Sequence, residues 1–343
     1  MGALETESAT LDPLLRGLPE VLVHSRADGT VNSYYSSYSM WRRWAIKLGV
    51  SPLPAKPLTL GLYLLSRIQN GDSYAVCKSS FYGIRYIHNM HFHPDPTQNA
   101  VVVEMLQAAK RLDMHVVQKK EPITVEILSK LYEQLMGMPL CLSKVRTMCM
   151  CIMGFSGFLR FDELSNIRKG DITFFTTHMT VFIEKGKTDQ YRDGRTLYIS
   201  RSVAELCPVE ITIKYLVLAG LHREVSGDLT PSDSDEEDGT CELFIFRGIS
   251  TSKNGKRLRK ANKSISYTRV RELLLEELKR VGVDQKAFGT HSLRSGGASA
   301  AANAGVPDRL FKRHGRWASE GAKDGYVKDN VERLLSVSRS LGL

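Results

Sequence analysis

Residues 289–297 read GTHSLRSGG, and the run continues as ASAAANAGVPDRLFKRHGRW before reaching AKDGYVKD. The three-residue spacing puts His291 and Arg294 on one face of a helix. Almost everything behind them is Gly, Ala or Ser, so that helix can lie very close to its neighbours, with Gly296, Gly297, Ala298 and Ala300 as the small residues that permit it. A permanently charged guanidinium beside an imidazole on such a face is a grip for an anion.

The charge of the chain points to the same sign of partner. Its 343 residues carry 47 Lys and Arg against 37 Asp and Glu, a net charge of +10, with a pI near 9.2. Six carboxylates and no base fall in residues 226–240 (SGDLTPSDSDEEDGT), so the rest of the chain stands at +16. A surface that basic favours polyanions, nucleic acid first. No run of 18 apolar residues occurs, and the opening MGALETESATLDPLL lacks the basic-then-apolar order of a signal peptide, which predicts a soluble intracellular protein with no membrane partner. Cys77, Cys141, Cys149, Cys151, Cys207 and Cys241 form no CxxC pair and have no His at metal-ligand spacing, so reduced, mostly buried thiols are expected and no metal site.

The elements that must hold the His291 face can be read from periodicity. Residues 1–24 read as a flexible N-terminal segment. In 25–49, Tyr34, Ser37, Trp41 and Trp44 recur at spacings of three and four, an amphipathic helix with both tryptophans in its core. Helical patterns continue over 58–70, 74–91 and 99–112, so 25–112 forms a small all-helical domain. A polar linker, 113–122, ends at Pro122, and a second domain spans 123–343. There an apolar Met- and Cys-rich helix over 143–157 precedes LRFDELSNIRKGDI, and HMTVFIEKGKTDQYRDGRTLYIS gives two β-rich runs around a polar turn, a hairpin. The acidic run 226–240 reads as a disordered insertion. From 264 onward the pattern is helical again, closing on a tail helix over 330–343. The predicted fold class is mainly α with a small β hairpin or sheet, in two domains.

An ordered set of residues now becomes visible: Arg160 in GFLRFDEL, a lysine in KGKTDQ, His291 and Arg294 in HSLR, Trp317 in HGRW and Tyr326 in DGYVKD. That set, with Tyr326 lying 32 positions after Arg294, resembles the tyrosine recombinase (phage integrase) family from about residue 25 to the end. The KTDQ and HSLRSGG wording is similar to recombinases of eukaryotic mobile elements such as cryptons. The resemblance implies an all-helical core-binding domain followed by an α+β tyrosine recombinase catalytic domain.

It also implies roles. Tyr326 would be the nucleophile, whose oxygen keeps the energy of the phosphate bond as a 3′-phosphotyrosine ester. Arg160 and Arg294 would grip the non-bridging oxygens as charge builds on them, and His291 would hydrogen-bond the phosphate or move the tyrosine proton. Trp317 stands where many family members carry a second histidine; its indole N–H donates only, so it binds an oxygen without shuttling a proton. Glu163, one helical turn after Arg160, suits an acidic support for Arg160 or His291. A hairpin lysine would protonate the leaving 5′ oxygen: Lys187 fits the GKTDQ context, and Lys185 matches other branches of the family. Arginines replace a metal as charge stabiliser, so no cofactor is expected.

Double-stranded DNA is the expected partner, held by a homotetramer on two DNA sites. Arg42, Arg43, Lys78 and Arg85 are candidate phosphate contacts in the first domain, although solvated helix faces have the same composition. SYTRVRE at 266–272 opens a helix that, by resemblance, lies in the major groove with Arg269 toward base edges. KNGKRLRK at 253–260 suits phosphate contact, a nuclear localisation signal or a solvated loop, and the nucleus is the expected location. The predicted activity is site-specific cutting and rejoining of DNA for integration or excision of a mobile element; a domesticated, non-cleaving DNA-binding protein and type IB topoisomerase-like strand relaxation are the alternatives.

Overall fold

The computed structural model describes residues 11–115, 118–184, 194–222, 241–252 and 255–341. It divides into two compact units, Met1–Gln118 and Lys119–Leu343.

The first unit is helical wherever it is described, apart from its connections. Helix α1 (Asp12–Val23) forms where flexible chain was expected. Pro13 fixes its first turn, and Leu18 and Leu22, one turn apart, are both half-buried, which together outweigh the loose composition of that segment. Helices α2 (Asp28–Lys47), α3 (Pro57–Gln69), α4 (Tyr74–Met90) and α5 (Ala100–Leu112) follow. They pack α2 on α4 and α3 on α5 around Trp41, Leu60, Tyr63, Leu64 and Ile84. Trp41 is fully buried, and its Nε1–H donates to the Pro52 carbonyl at 3.0 Å. Trp44 is half-buried and stacks on Trp41 at 5.6 Å.

The second unit is organised on α7 (Leu142–Ser156), which is buried along nearly its whole length. A helix apolar all round must be covered all round. Four helices supply the cover: α6 (Val125–Leu135), α9 (Pro208–Leu218), α10 (Tyr267–Arg280) and α11 (His291–Asn303). Between them lie the short α8 (Phe161–Ser165) and an antiparallel sheet ordered β1 (Ile172–Phe174), β2 (His178–Ile183), β3 (Arg195–Ser200). The register pairs Met179 with Ile199, Val181 with Leu197 and Ile183 with Arg195. Alternation then sends Met179, Val181, Ile183, Leu197 and Ile199 into the core.

A second hairpin, β4 (Ile249–Ser252) with β5 (Gly255–Leu258), occupies part of the basic stretch that the sequence left as loop or signal. Both its strands are polar, so no period-two pattern announces it, although Asn254-Gly255 is a strong hairpin dipeptide. The chain ends through α12 (Asp308–Gly315), α13 (Glu320–Asp324) and α14 (Val331–Arg339). No described helix is long and apolar enough to cross a membrane. The acidic run 226–240 lies outside the described residues.

Candidate active site

The turn between α7 and α8 sets the site. Phe158 holds a left-handed φ of 47°, a conformation a bulky residue keeps only where its surroundings impose it. Its carbonyl oxygen accepts from two arginines that arrive from far along the chain, Nη1 of Arg294 and Nη2 of Arg316, the latter at 3.0 Å. Two residues later Arg160 caps α8, and Glu163 turns back on it: Oε2 accepts the Arg160 backbone N–H at 2.9 Å and Oε1 accepts Nη1 at 2.7 Å.

Glu163 therefore stands against Arg160, one of the two residues it was expected to support. It also holds Arg316, which donates Nη2 to Oε2 at 2.8 Å, and lies 3.8 Å from Arg294 Nη1. Burial alone would raise the Glu163 carboxyl; the charge of Arg316, the Arg160 N–H and the Arg160 charge outweigh it and hold the group below the usual carboxylate range. Burial pushes Arg294 and Arg316 down from the ordinary arginine value, and neighbouring guanidiniums add to this. Three guanidiniums thus converge around one buried carboxylate, a basic site that suits an anion.

Helix α11 carries the rest. Gly296 and Gly297 let it press on the chain: a Cβ on Gly296 would run into the Ile123 carbonyl oxygen, and one on Gly297 into that of Phe155. Ala298 is fully buried, whereas Ala300 is exposed and takes no part in the close approach. Arg294 has no solvent exposure. Besides the Phe158 carbonyl it donates Nη2 to the Gly315 carbonyl at 2.5 Å, and its Nε is a buried donor without an acceptor. Its guanidinium lies under two rings, 4.8 Å from the Trp317 centroid and 4.9 Å from that of Tyr326. Trp317 is buried with an unpartnered Nε1–H. His291, exposed at the start of α11, stacks on Tyr326 with ring centroids 6.4 Å apart.

The tyrosine segment is pinned by the polar side of α11. Ser295 and Ser299 hydroxyls donate to the Tyr326 carbonyl at 2.9 and 3.4 Å, the Lys328 N–H donates to Ser299 Oγ at 2.9 Å, and Asn303 Nδ2 reaches the Lys328 carbonyl at 3.2 Å. Sequence reasoning treated these serines as small packing residues; their i, i+4 spacing on the helix was the available signal. It also missed Arg316, which takes φ 55° after Gly315 to fold its side chain back into the cluster, and His314. The His314 Nε2–H donates to the Ser156 carbonyl at 2.8 Å, and burial, then the charges of Arg316 and Arg294, lower its pKa from the ordinary histidine value.

The structure thus gathers Arg160, Glu163, His291, Arg294, Trp317 and Tyr326 in one place. Lys187, like Lys185, lies outside the described residues. The flanking strands nevertheless lead toward the cluster: Arg195, at the start of β3, acts electrostatically on Arg316 and lines one cavity with it. The DNA-contact candidates lie on helix faces of the two units. Arg42 and Arg43 are exposed on α2, Lys78 is exposed on α4 beside the Tyr74 ring, and Arg85 is taken up by Asp95 at 3.2 Å. Arg269 is exposed on the first turn of α10 with Glu272 at 3.2 Å. Among the described residues, no group of three or more His, Cys, Asp or Glu is placed to hold a metal ion.

Comparison with known proteins identifies the family and the fold. A model of the phage integrase family matches residues 126–333. The integrase/recombinase xerD homolog of Selenomonas ruminantium is 25% identical over 317 residues, 90% of this chain and 83% of that protein. The XerH site-specific recombinase, solved in a post-cleavage complex with its palindromic difH substrate, has a TM-score of 0.61 at 16% identity, over 90% of this chain and 78% of that one. The Tn1549 transposon integrase with transposon right-end DNA gives 0.58 at 12% identity, over 95% of this chain and 98% of the other. At such identities the solved structures show a shared fold.

Proposed function

The chain belongs to the phage integrase family of tyrosine recombinases, and from that premise we propose that it cuts and rejoins DNA at specific sites through Tyr326. The observation that carries the reading is the stacking of Tyr326 and Trp317 over the Arg294 guanidinium, beside Arg160 and with the buried donors Arg294 Nε and Trp317 Nε1 lacking acceptors. A phosphodiester oxygen would supply both the missing acceptor and the missing negative charge.

In this reading the Tyr326 oxygen attacks the phosphorus, the bond to the 5′ oxygen breaks, and that oxygen takes a proton from the hairpin lysine, Lys187 in the first instance. Arg160, Arg294 and Trp317 hold the non-bridging oxygens, while His291, stacked on Tyr326, handles the tyrosine proton or the phosphate. A 5′-hydroxyl from a partner strand reverses the step. Arg316 and Glu163 position the arginines without touching the phosphate. Arg294 gives its terminal nitrogens to the Phe158 and Gly315 carbonyls, which leaves its Nε as the spare donor for the phosphate.

Residues 25–112 serve as the core-binding domain and 123–343 as the catalytic domain, with Arg269 on α10 reading base edges and Arg42, Arg43 and Lys78 on the backbone. Arg85 contributes less, since Asp95 already holds it. Four protomers on two sites form the working unit. The tail supports this: Val331, Leu334, Leu335, Val337 and Leu341 are all exposed, and an apolar cavity of about 1090 Å³ bordered by Phe155, Leu197, Val306, Leu310 and Phe311 lies in the same unit, with His314 and Arg316 in its wall. Helix α14 of one protomer seated in that cavity of another would couple assembly to the catalytic cluster. A role in mobile-element integration or excision is supported by the likeness to a transposon integrase. The finer kinship with eukaryotic mobile elements rests on the KTDQ and HSLRSGG motifs, and a nuclear location on the basic KNGKRLRK stretch at 253–260.

The test uses nicked duplexes made from the DNA that flanks the coding sequence. Wild-type chain should give a covalent adduct on a denaturing gel, and Tyr326→Phe should bind the same DNA and give none. An undiminished adduct in that variant overturns the assignment. Binding without any wild-type adduct favours a non-cleaving DNA-binding protein, and relaxation of supercoils by a lone protomer favours a topoisomerase.

A further inference from the structure

Away from the tyrosine cluster, a cavity of about 720 Å³ opens between the start of α7, the β4–β5 hairpin and α10. Lys144, Arg146, Lys256, Arg259, Lys263 and Arg269 border it. Arg280 also lines it but is paired with Glu277, and Glu276 is the remaining acid. Bases exceed acids by five in this wall, so the cavity selects for anions. Arg146 sharpens the point. It is only 4% exposed, gives Nη1 to the Arg247 carbonyl at 2.7 Å, and keeps a buried Nε–H with no acceptor. A buried guanidinium with an unused donor lining a cavity marks a place where an anionic group is missing.

One sulfur lies in this wall. Cys141 is the N-cap of α7, with its Sγ 3.2 Å from Ser143 Oγ, and Lys256 on β5 donates Nζ to the sulfur at 3.4 Å and to Ser143 Oγ at 3.0 Å. An ammonium, a hydroxyl and the positive end of a fifteen-residue helix converge on it. Burial would raise the thiol; the Ser143 hydroxyl, the Ser143 and Lys144 amides and Lys256 outweigh it and bring it down to about 7. The other thiols contrast with it. Cys149 and Cys151 are buried and pushed up to about 12, Cys77 is buried and raised, and Cys207 is buried. Cys241 is half-buried but does not line this cavity.

We propose that Cys141 is a modification site that undergoes thiol–disulfide exchange with small, negatively charged disulfides, which the basic cavity recognises. The Cys141 sulfur, as thiolate after loss of its proton to solvent, attacks one sulfur of the incoming disulfide. A new S–S bond forms at Cys141, the bond within the reagent breaks, and the departing half leaves as a thiolate that takes up a proton. Cys141 is oxidised and the reagent disulfide reduced, so no other oxidant enters. Carboxylates carried by the bound half would lie among Lys256, Arg146 and Arg269. The exchange does not use Tyr326 and is tested without DNA, although the cavity shares Arg269 with the DNA-reading face of α10.

The experiment compares three disulfides on the full-length chain at low salt: glutathione disulfide, which is anionic, hydroxyethyl disulfide, which is neutral, and cystamine, which is cationic. Adducts are followed by intact mass and located by peptide mapping. The expected result is a single early adduct at Cys141, formed at least about tenfold faster with the anionic reagent than with the cationic one, the ratio shrinking as salt is added. Lys256→Gln should slow the anionic reaction. Because the reagent series is run on the unmodified chain, no folding defect can imitate the result. Cystamine reacting as fast as glutathione disulfide, or early adducts mapping chiefly to Cys241, overturns the proposal.

Discussion

Arg316 Nη2 donates to Glu163 Oε2 at 2.8 Å across 153 residues of chain, and both side chains are buried. This pair, more than any direct contact to Arg160 alone, fixes where the arginines of the site can stand, because Arg316 also ties down the Gly157 and Phe158 carbonyls. Removing the carboxylate while keeping its shape, Glu163→Gln, leaves buried guanidiniums without their counter-charge and should cost about 3–5 kcal/mol of stability. The effect must depend on pH. Glu163 is held below its ordinary carboxylate range, so its stabilising contribution is complete above the unfolded value of about 4.3 and is lost as pH falls through the lower folded value. Thermal melts of wild type and Glu163→Gln should differ most near neutral pH and converge in acid below about pH 4; a constant gap would remove Glu163 from the acid-sensitive set.

The same pair shows what sequence can and cannot reveal. His291, Arg294, Trp317 and Tyr326 lie within 36 positions of one another, and their order and spacing made them legible together. Arg160 was legible through its motif. Arg316 was not, because nothing local says that a residue between Gly315 and Trp317 takes a left-handed φ and returns its side chain to Glu163. Helical periodicity exposed α2 to α5 because each buries one face against the next. The β4–β5 hairpin escaped because charged residues on both its faces erase the alternation, and α1 escaped because its half-buried apolar residues, among those described Leu18, Leu22 and Val23, are few.

Arg294 and Trp317 can be tested together because they offer different things to a phosphate. Arg294→Lys keeps the charge but loses the planar fork that now spans the Phe158 and Gly315 carbonyls. Cleavage should fall by roughly 10²–10³, as when one oxyanion donor is lost, with DNA affinity nearly kept. Trp317→Phe keeps the ring over the site and removes only the Nε1–H, so its loss should be smaller, on the order of tenfold. Unchanged cleavage in Trp317→Phe would make the indole a packing group alone.

The general acid is decided by changing the leaving group. If Lys187 protonates the 5′ oxygen, Lys187→Ala should cleave ordinary DNA poorly and recover when that bridging oxygen is replaced by sulfur, which departs without a proton. The strands that flank this lysine end beside the site, at Ile183 and Arg195. Lys185→Ala showing the recovery instead would move the role two residues upstream.

The tail helix offers the remaining handle, on assembly. Asn330 caps α14 with its side chain at 2.9 Å from the Arg333 N–H, and Arg333 Nε reaches back to the Asn303 carbonyl at 3.3 Å. Among the described residues of the tail, the bonds to α11 come from Asn330 and Arg333, at its first turn. Beyond it Leu334, Leu335, Val337 and Leu341 face solvent, and a nine-residue helix has little stability of its own in water. A partner surface supplies what the helix lacks, and the apolar cavity bordered by Val306, Leu310 and Phe311 is matched to it in character. Deleting residues 332–343 should leave binding to a single half-site nearly unchanged and abolish the four-protomer complex in analytical ultracentrifugation with DNA. Leu310→Glu, which puts a charge on the exposed rim of the receiving cavity while leaving the tail intact, should produce the same defect. If equal amounts of the two defective proteins are mixed, tail donors and cavity donors should pair and restore part of the assembly. Four-protomer complexes at wild-type concentration from the truncated chain alone would show that the tail carries no such contact.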